Sequence, residues 1–244
     1  ALDAGKGLSA KAPGGLEVKL RGLVQADLRH FADGSSQNDG FLFRRIRPTL
    51  EGTWGPLVGF RLTPEFAGDS ATIVDAYVDL KFDPRATVRV GKVKGPVGLE
   101  RLQSGGATAF VERGFPTELA PNRDLGAQLQ GDVFGGALNY TVGVYNGTVD
   151  GRDAVTSNPD GEFEYAGRLF WEPFKNRDGN PGTLGIGVAA SVGDTFGSGN
   201  NFLPRYRTPG QLQFFGYLTT VLADGQQTRF SPEGYYYRGG FGLL

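Results

Sequence analysis

The chain has 244 residues, with 25 Lys+Arg against 26 Asp+Glu, one histidine and no cysteine. Balanced charge excludes the broad basic field of a nucleic-acid binder. The lack of cysteine excludes disulfides, thiolate zinc sites and cysteine nucleophiles. Methionine is also absent, so Ala1 is not expected to be a translation start. No apolar run reaches the roughly 18 residues a membrane-crossing helix needs, but that leaves strands open. A transmembrane strand needs only about 9–11 residues and alternates apolar with polar positions. Forty glycines and 18 phenylalanines suit strands and tight turns.

Period two runs through the chain. From Leu16 to Arg29 the even positions are apolar or small, while Glu17, Lys19, Arg21, Leu23, Gln25, Asp27 and Arg29 hold the odd ones, all polar or charged but Leu23. After the polar stretch Asp33–Gly40, Ile46, Leu50 and Trp54 alternate with Arg45, Arg47, Thr49 and Glu51. Val58, Phe60 and Leu62 then oppose Arg61 and Thr63, and Val74, Val78 and Leu80 oppose Asp75, Tyr77, Asp79 and Lys81. Val88 and Val90 follow a turn at Asp83-Pro84. Alternation lapses over residues 95–123 and resumes at Leu125–Val133, Leu138–Tyr145, Phe163–Glu172 and Thr183–Val192. Further strands are predicted near Gln211–Leu222 and Gln226–Tyr237, with a last one starting at Phe241, about eleven in all plus one cut short.

Connections alternate in length. Trp54–Leu57, Phe82–Ala86, Phe134–Gly136 and Tyr237–Gly240 are short; Asp33–Gly40, Gly95–Arg123, Asn146–Gly161 and Gly193–Gly210 are long. Outer-membrane barrels have this asymmetry, and a soluble sandwich gives no reason for it. The fold predicted is therefore an all-β transmembrane antiparallel β-barrel spanning 16–244, after an extension or linker at 1–15. The charged faces imply a watery interior and the Leu/Val/Phe faces a lipid contact. Val18, Leu20, Val24, Ile46, Leu50, Phe60, Leu62, Val78, Leu80, Leu129, Val142, Leu169, Ile186 and Val188 are expected to face outward. Trp54, Phe82, Phe134, Tyr145, Trp171 and Phe174 are expected near the membrane–water boundaries. An uneven strand count ending in Gly239–Leu244 suggests that further strands follow. A soluble β-rich binding module, such as a lectin-like sandwich, is the alternative from another class.

Val90–Ser104, with its Gly-Lys-Val-Lys-Gly-Pro-Val-Gly-Leu-Glu core, resembles the phosphate-selective porin O and P family. So do Phe43–Arg47, Asp75–Phe82, Phe110–Arg113, Leu119–Gly126, Arg229–Pro232, Tyr235–Tyr237 and Phe241–Leu244, and the resemblance lies in their order and spacing together. The resemblance runs from about Leu16 to the end. It implies a sixteen-stranded barrel in the Gram-negative outer membrane, usually a homotrimer amid lipid and lipopolysaccharide. It also implies that the third long loop (here 95–123) folds inward, and that basic residues line the funnel and constriction and pass small anions.

Anion selectivity needs fixed positive charge in a narrow passage, with binding weak enough to allow exit. Arg45, Arg47 and Arg61 share the charged faces of neighbouring strands. Lys92, Lys94 and Arg101 lie at the start of the long loop. Arg44 is out of phase with Arg45 and faces inward only if the strand bulges; the resemblance carries the Arg44-Arg45 doublet into the constriction. Phosphate or a similar oxyanion is the expected solute. A general small-solute porin stands beside that reading, because Glu51, Glu65, Asp75, Asp79, Glu100 and Glu112 could neutralise the same region. No enzyme, cofactor, metal or nucleic acid is expected. His30 has no serine motif near it, and Asp75 with Asp79 on one strand face suits arginine pairing better than calcium. Gly91, Gly95 and Gly98 lack the helix a phosphate-cradling loop requires.

Overall fold

The computed structural model describes residues 2–3, 7–31, 38–68, 70–175 and 182–244. Its strands are β1 (Leu2–Asp3), β2 (Gly7–Ala12), β3 (Leu16–Arg29), β4 (Gly40–Trp54), β5 (Val58–Glu65), β6 (Thr72–Asp83), β7 (Ala86–Val93) and β8 (Asp124–Val133). After them come β9 (Leu138–Tyr145), β10 (Glu164–Trp171), β11 (Thr183–Ser198), β12 (Arg205–Arg207), β13 (Gln213–Gly216), β14 (Leu222–Arg238) and β15 (Phe241–Leu243). Among the described residues, thirteen strands form one sheet in chain order, with β12 and β13 set apart as a separate pair. Every pairing in the large sheet is antiparallel, from β1–β2 through β14–β15. The edges, β1 and β15, are not paired with each other.

The sheet is polar on its enclosed face and apolar on its open one. Leu20, Leu50, Leu62, Val78, Leu129, Leu169, Ile186 and Val188 are exposed, with Val24 at 68% and Val142 at 51%. Val18, Ile46, Phe60 and Leu80 are half-buried. Thr63, Glu65, Asp79, Gln128, Thr141, Glu164, Ser191, Arg229 and Glu233 are buried instead. A water-soluble domain reverses this arrangement, because burying apolar surface is what drives its folding. Here the apolar face matches a hydrocarbon solvent, and the ladder satisfies the backbone polar groups that lipid cannot.

Several boundaries differ from the sequence reading. Residues 7–12, read as an extension, are a strand paired with Leu16–Leu20 on β3. The strand expected near Gln211–Leu222 is not in the large sheet: its Gln213–Gly216 part pairs with Arg205–Arg207 in the small hairpin. Strand β11 runs on to Ser198, with Gly193–Ser198 paired to Leu222–Gln227, so the long connection starts after residue 198 and not at Gly193. Apolar alternation ends before the hydrogen-bonded ladder does, because the strands extend beyond the apolar band. Residues 33–37 of the polar stretch Asp33–Gly40 lie outside the described residues.

Of the aromatic residues expected near the boundaries, Trp54, Phe82 and Phe134 are exposed at or beside the strand ends that meet short turns, and Trp171 is exposed at the end of β10. Phe174 is half-buried just beyond β10. Tyr145 is a correction. It is 2% exposed, pairs in register with Gly126 and Glu164, and donates its hydroxyl to Gln128 Oε1 at 2.8 Å on the polar face. A ring fits there because Gly126 leaves room: a Cβ on Gly126 would lie 2.7 Å from Tyr145 Cδ1.

Candidate anion passage

Between β7 and β8 the chain leaves the sheet for residues 94–123, which contain a one-turn helix, Leu99–Leu102, and a 3₁₀ turn, Phe115–Leu119. This loop lies over the polar face. Its Val97 and Ala120 bury themselves with Val93, Tyr145, Ala166 and Ala189 in the one cluster of buried apolar residues found among the described residues. On that flank the Gly98 amide donates to Glu233 Oε1 on β14 at 3.1 Å, while Glu233 Oε2 accepts from Arg168 Nε of β10 at 2.7 Å. On the other flank Glu112 accepts from Arg44 and Arg45 of β4, with Arg45 Nη2 to Glu112 Oε2 at 2.7 Å. Apolar burial at one end and a carboxylate held by two guanidiniums at the other hold the loop across the face.

The doublet reaches Glu112 because β4 bulges. The β3–β4 register steps from Gln25↔Arg45 to Ala26↔Phe43, leaving Arg44 as the extra residue. An inserted residue breaks strict alternation and re-aims its side chain. Both arginines therefore turn to the same carboxylate, and Arg45 also donates to Gln25 Oε1.

The end of the loop is stitched to the connection 146–163. Asn122 N donates to Arg152 O at 2.7 Å, Gly151 N to Ala120 O at 2.9 Å and Ala154 N to Arg123 O at 2.8 Å. The 199–221 connection joins them through the Arg207 amide, which donates to Glu118 Oε2 at 3.2 Å. These three long connections and β4 enclose a cavity of about 280 Å³. Among the described residues it is lined by Arg44, Arg45, Arg47, Arg101, Arg113, Arg123, Arg152, Arg205 and Arg207, with Glu112, Glu118 and Asp153 as the only carboxylates. A second cavity of about 480 Å³ contains Arg47, Arg61, Arg89, Lys94, Arg123 and Arg168 with Asp75 and Asp132. Arg47 and Arg123 line both cavities, so basic side chains run continuously from one to the other.

The arginines of the large sheet, and Arg123 at its edge, differ from the other arginines of the long connections in how their charge is met. Arg47 pairs with Glu65 at 2.5 Å, Arg61 with Glu51 at 2.9 Å, Arg89 with Asp79 at 2.6 Å and Arg123 with Asp75 at 3.1 Å. Among the described residues, Arg101, Arg113, Arg152, Arg205 and Arg207 form no ion pair with a carboxylate. Arg101 donates to Thr117 O, and Arg113 donates to Glu100 O at 3.1 Å and Gln103 O at 2.8 Å. The buried Nε atoms of Arg45, Arg101, Arg152 and Arg205 have no hydrogen-bond partner among the described residues. Burial, followed by neighbouring guanidiniums, pushes Arg101, Arg113 and Arg152 down to about 10. They remain charged at neutral pH, and Glu100, Glu118 and Asp153 offset their positive field from a distance without forming an ion pair with them among the described residues.

The sequence candidates divide accordingly. Arg44, Arg45, Arg47 and Arg101 line the smaller cavity, and Arg61 and Lys94 the larger one together with Arg47. Lys92 lines neither; it donates to Ala154 O at 2.8 Å and holds the 146–163 connection. Lys94 donates to Leu102 O at 3.1 Å and Gln103 O at 2.7 Å, where the one-turn helix ends, and burial pushes its ammonium down to about 7. Sequence reasoning missed Arg113, Arg123, Arg152, Arg205 and Arg207. Arg113 and Arg123 sit inside runs that carry the family resemblance, which was a usable signal. The other three lie in long connections with no period to show which way they point.

An apolar-outside antiparallel sheet, short turns at one end, long connections at the other and a loop laid over the polar face define an outer-membrane β-barrel porin. The sequence matches the family model described as phosphate-selective porin O and P over residues 18–243, and the chain belongs to that family. It is a family of channels and not of enzymes. No curated protein matches the sequence.

Proposed function

We propose that the protein is a passive outer-membrane channel for small anions, with phosphate or a similar oxyanion as its preferred solute, and that the loop 94–123 and the arginines around it form the constriction. The observation carrying this reading is the set of five arginines that line one cavity without an ion-paired carboxylate among the described residues. Desolvating a cation without pairing it is costly, and an entering oxyanion offsets that cost. Guanidinium also suits tetrahedral oxyanions, because its planar fork donates to two oxygens at once. Arg44, Arg45 and Arg47 form the strand side of the passage, Arg61 and Lys94 its continuation, and Arg101 the loop side; Lys92 supports the wall. The family resemblance further suggests a homotrimer embedded in lipid and lipopolysaccharide.

The test is block of chloride current by added phosphate in planar bilayers. Replacing Arg101 with Gln should raise the half-blocking concentration about tenfold or more, the worth of a hydrogen bond to a charged group. Arg85→Ala should leave it unchanged, since Arg85 lies at an exposed turn and pairs with Asp83. A chloride current that ignores phosphate would sink the selectivity claim. The reading would then be a general small-solute porin, which draws on the pairing of Glu51, Glu65, Asp75, Asp79 and Glu112 with arginines.

A further inference from the structure

One wall of the arginine cavity serves no purpose in holding a bare oxyanion. Phe115 is among the residues that line the cavity. Its place is set from behind: the Gly114 amide donates to Glu100 Oε2 at 2.9 Å, and Pro116 follows it into the 3₁₀ turn. Its ring meets Tyr206 edge-on and Phe214 at a tilt, each with centroids 5.9 Å apart. Tyr206 stacks in turn on Phe215, and Phe215 meets Tyr217 edge-on. These contacts tie the loop to the β12–β13 hairpin, yet Phe115 remains 43% exposed. An aromatic surface held firmly and left uncovered beside cations is the makeup of a site for a ligand with both an anionic and an apolar end.

Size points the same way. A cavity needs about 10–15 Å³ of free space to hold one water, so an oxyanion of five heavy atoms needs roughly 75 Å³ at most. The cavity holds about 280 Å³. Space for a further group remains in it, and Phe115 is among the residues that line it.

We infer that this cavity favours phosphate monoesters carrying an aromatic group, with the phosphate on the Arg101, Arg113, Arg152 and Arg207 side and the ring against Phe115. The inference rests on the anion reading above and adds the substrate class. The ester oxygen leaves two negative charges on the phosphate end at mildly alkaline pH, which the unpaired guanidiniums meet. The ring gains an aromatic contact that inorganic phosphate cannot make.

The experiment compares phenyl phosphate, methyl phosphate and inorganic phosphate as blockers of chloride current through the protein extracted from outer membranes. Phenyl phosphate should block at a concentration about 3–10-fold lower than methyl phosphate, the range an aromatic pair contributes. In Phe115→Ala that ratio should fall toward one. Each ratio is taken within one protein, so a general loss of affinity cancels. Phe115→Leu, which keeps the bulk, covers the case in which the alanine variant does not insert, and should lower the ratio too. Equal block by both esters in the unmodified protein, or an unchanged ratio in the variants, overturns the inference. Block by neither ester nor inorganic phosphate overturns the anion reading and this inference with it. Block by inorganic phosphate with equal ester potencies overturns this inference alone.

Discussion

Arg45 and Glu112 stand 67 residues apart in the chain, yet Arg45 Nη2 lies 2.7 Å from Glu112 Oε2. The pair joins the wall of β4 to the loop that crosses the polar face, and Arg44 reaches the same carboxylate only because β4 bulges. A buried pair of this kind adds little net stability against an apolar substitute, but losing one partner leaves a buried charge uncompensated.

Glu112→Gln should therefore loosen the loop without unfolding the sheet. The local opening cost around residues 104–113 should fall by about 3 kcal/mol, on the order expected for breaking a buried pair. Hydrogen exchange read by mass spectrometry should show faster exchange in that segment and unchanged protection in β8 and β9. Uniform exchange changes across the sheet, or none in the loop, would show that Glu112 does not anchor it.

Lys94 should make the proposed passage sensitive to pH. Burial, followed by Arg123 and Arg113, pushes its ammonium from an ordinary 10.5 to about 7, so it is charged below that pH and neutral above it. Anion affinity should fall as pH rises through about 7, while the arginines, near 10, do not titrate there. Sulfate is the suitable probe because its own charge is constant across this range. Its half-blocking concentration should rise several-fold between pH 6 and pH 8.5, and Lys94→Met should remove the dependence. Because the bound anion favours the charged ammonium, the midpoint should sit higher in saturating sulfate. On the stability side the unfolded chain keeps this proton up to 10.5 and the folded one does not, so the Lys94 contribution to stability rises with pH between about 7 and 10.5.

The two faces of β8 and β9 should respond oppositely to one substitution. Val142 is 51% exposed on the apolar face, while Gln130 donates nothing to lipid and accepts from Gln128 Nε2 at 2.6 Å on the polar one. Val142→Arg should destabilise the barrel by about 2–4 kcal/mol, the cost of an arginine near the bilayer midplane. Gln130→Arg should cost under about 1 kcal/mol, because a side chain there meets water. Urea titrations of folding into vesicles measure both. Equal costs would mean that the faces have been assigned to the wrong solvents.

What the sequence alone determined is the pattern of faces. Period two placed Val24, Leu62 and Val142 on one side and Arg45, Arg61 and Gln128 on the other, because successive side chains in a strand must alternate. Lengths of connections separated the turn end from the loop end, and the runs around Val90–Ser104 and Leu119–Gly126 carried the family. Periodicity did not determine where its own rule is suspended. Arg44 left phase at a bulge, and residues 213–216 pair in a local hairpin outside the large sheet, while Tyr145 kept its polar-face phase but is a buried ring there and not an interfacial one. The tertiary structure also decided which charges are spent. The strand arginines Arg47, Arg61 and Arg89 meet carboxylates one strand away, whereas Arg101, Arg113, Arg152, Arg205 and Arg207 come together from three separate connections. A ladder sets its neighbours by register, so its ion pairs are local. A loop sets its neighbours only by packing against distant parts of the chain, and there the unpaired positive charge gathers.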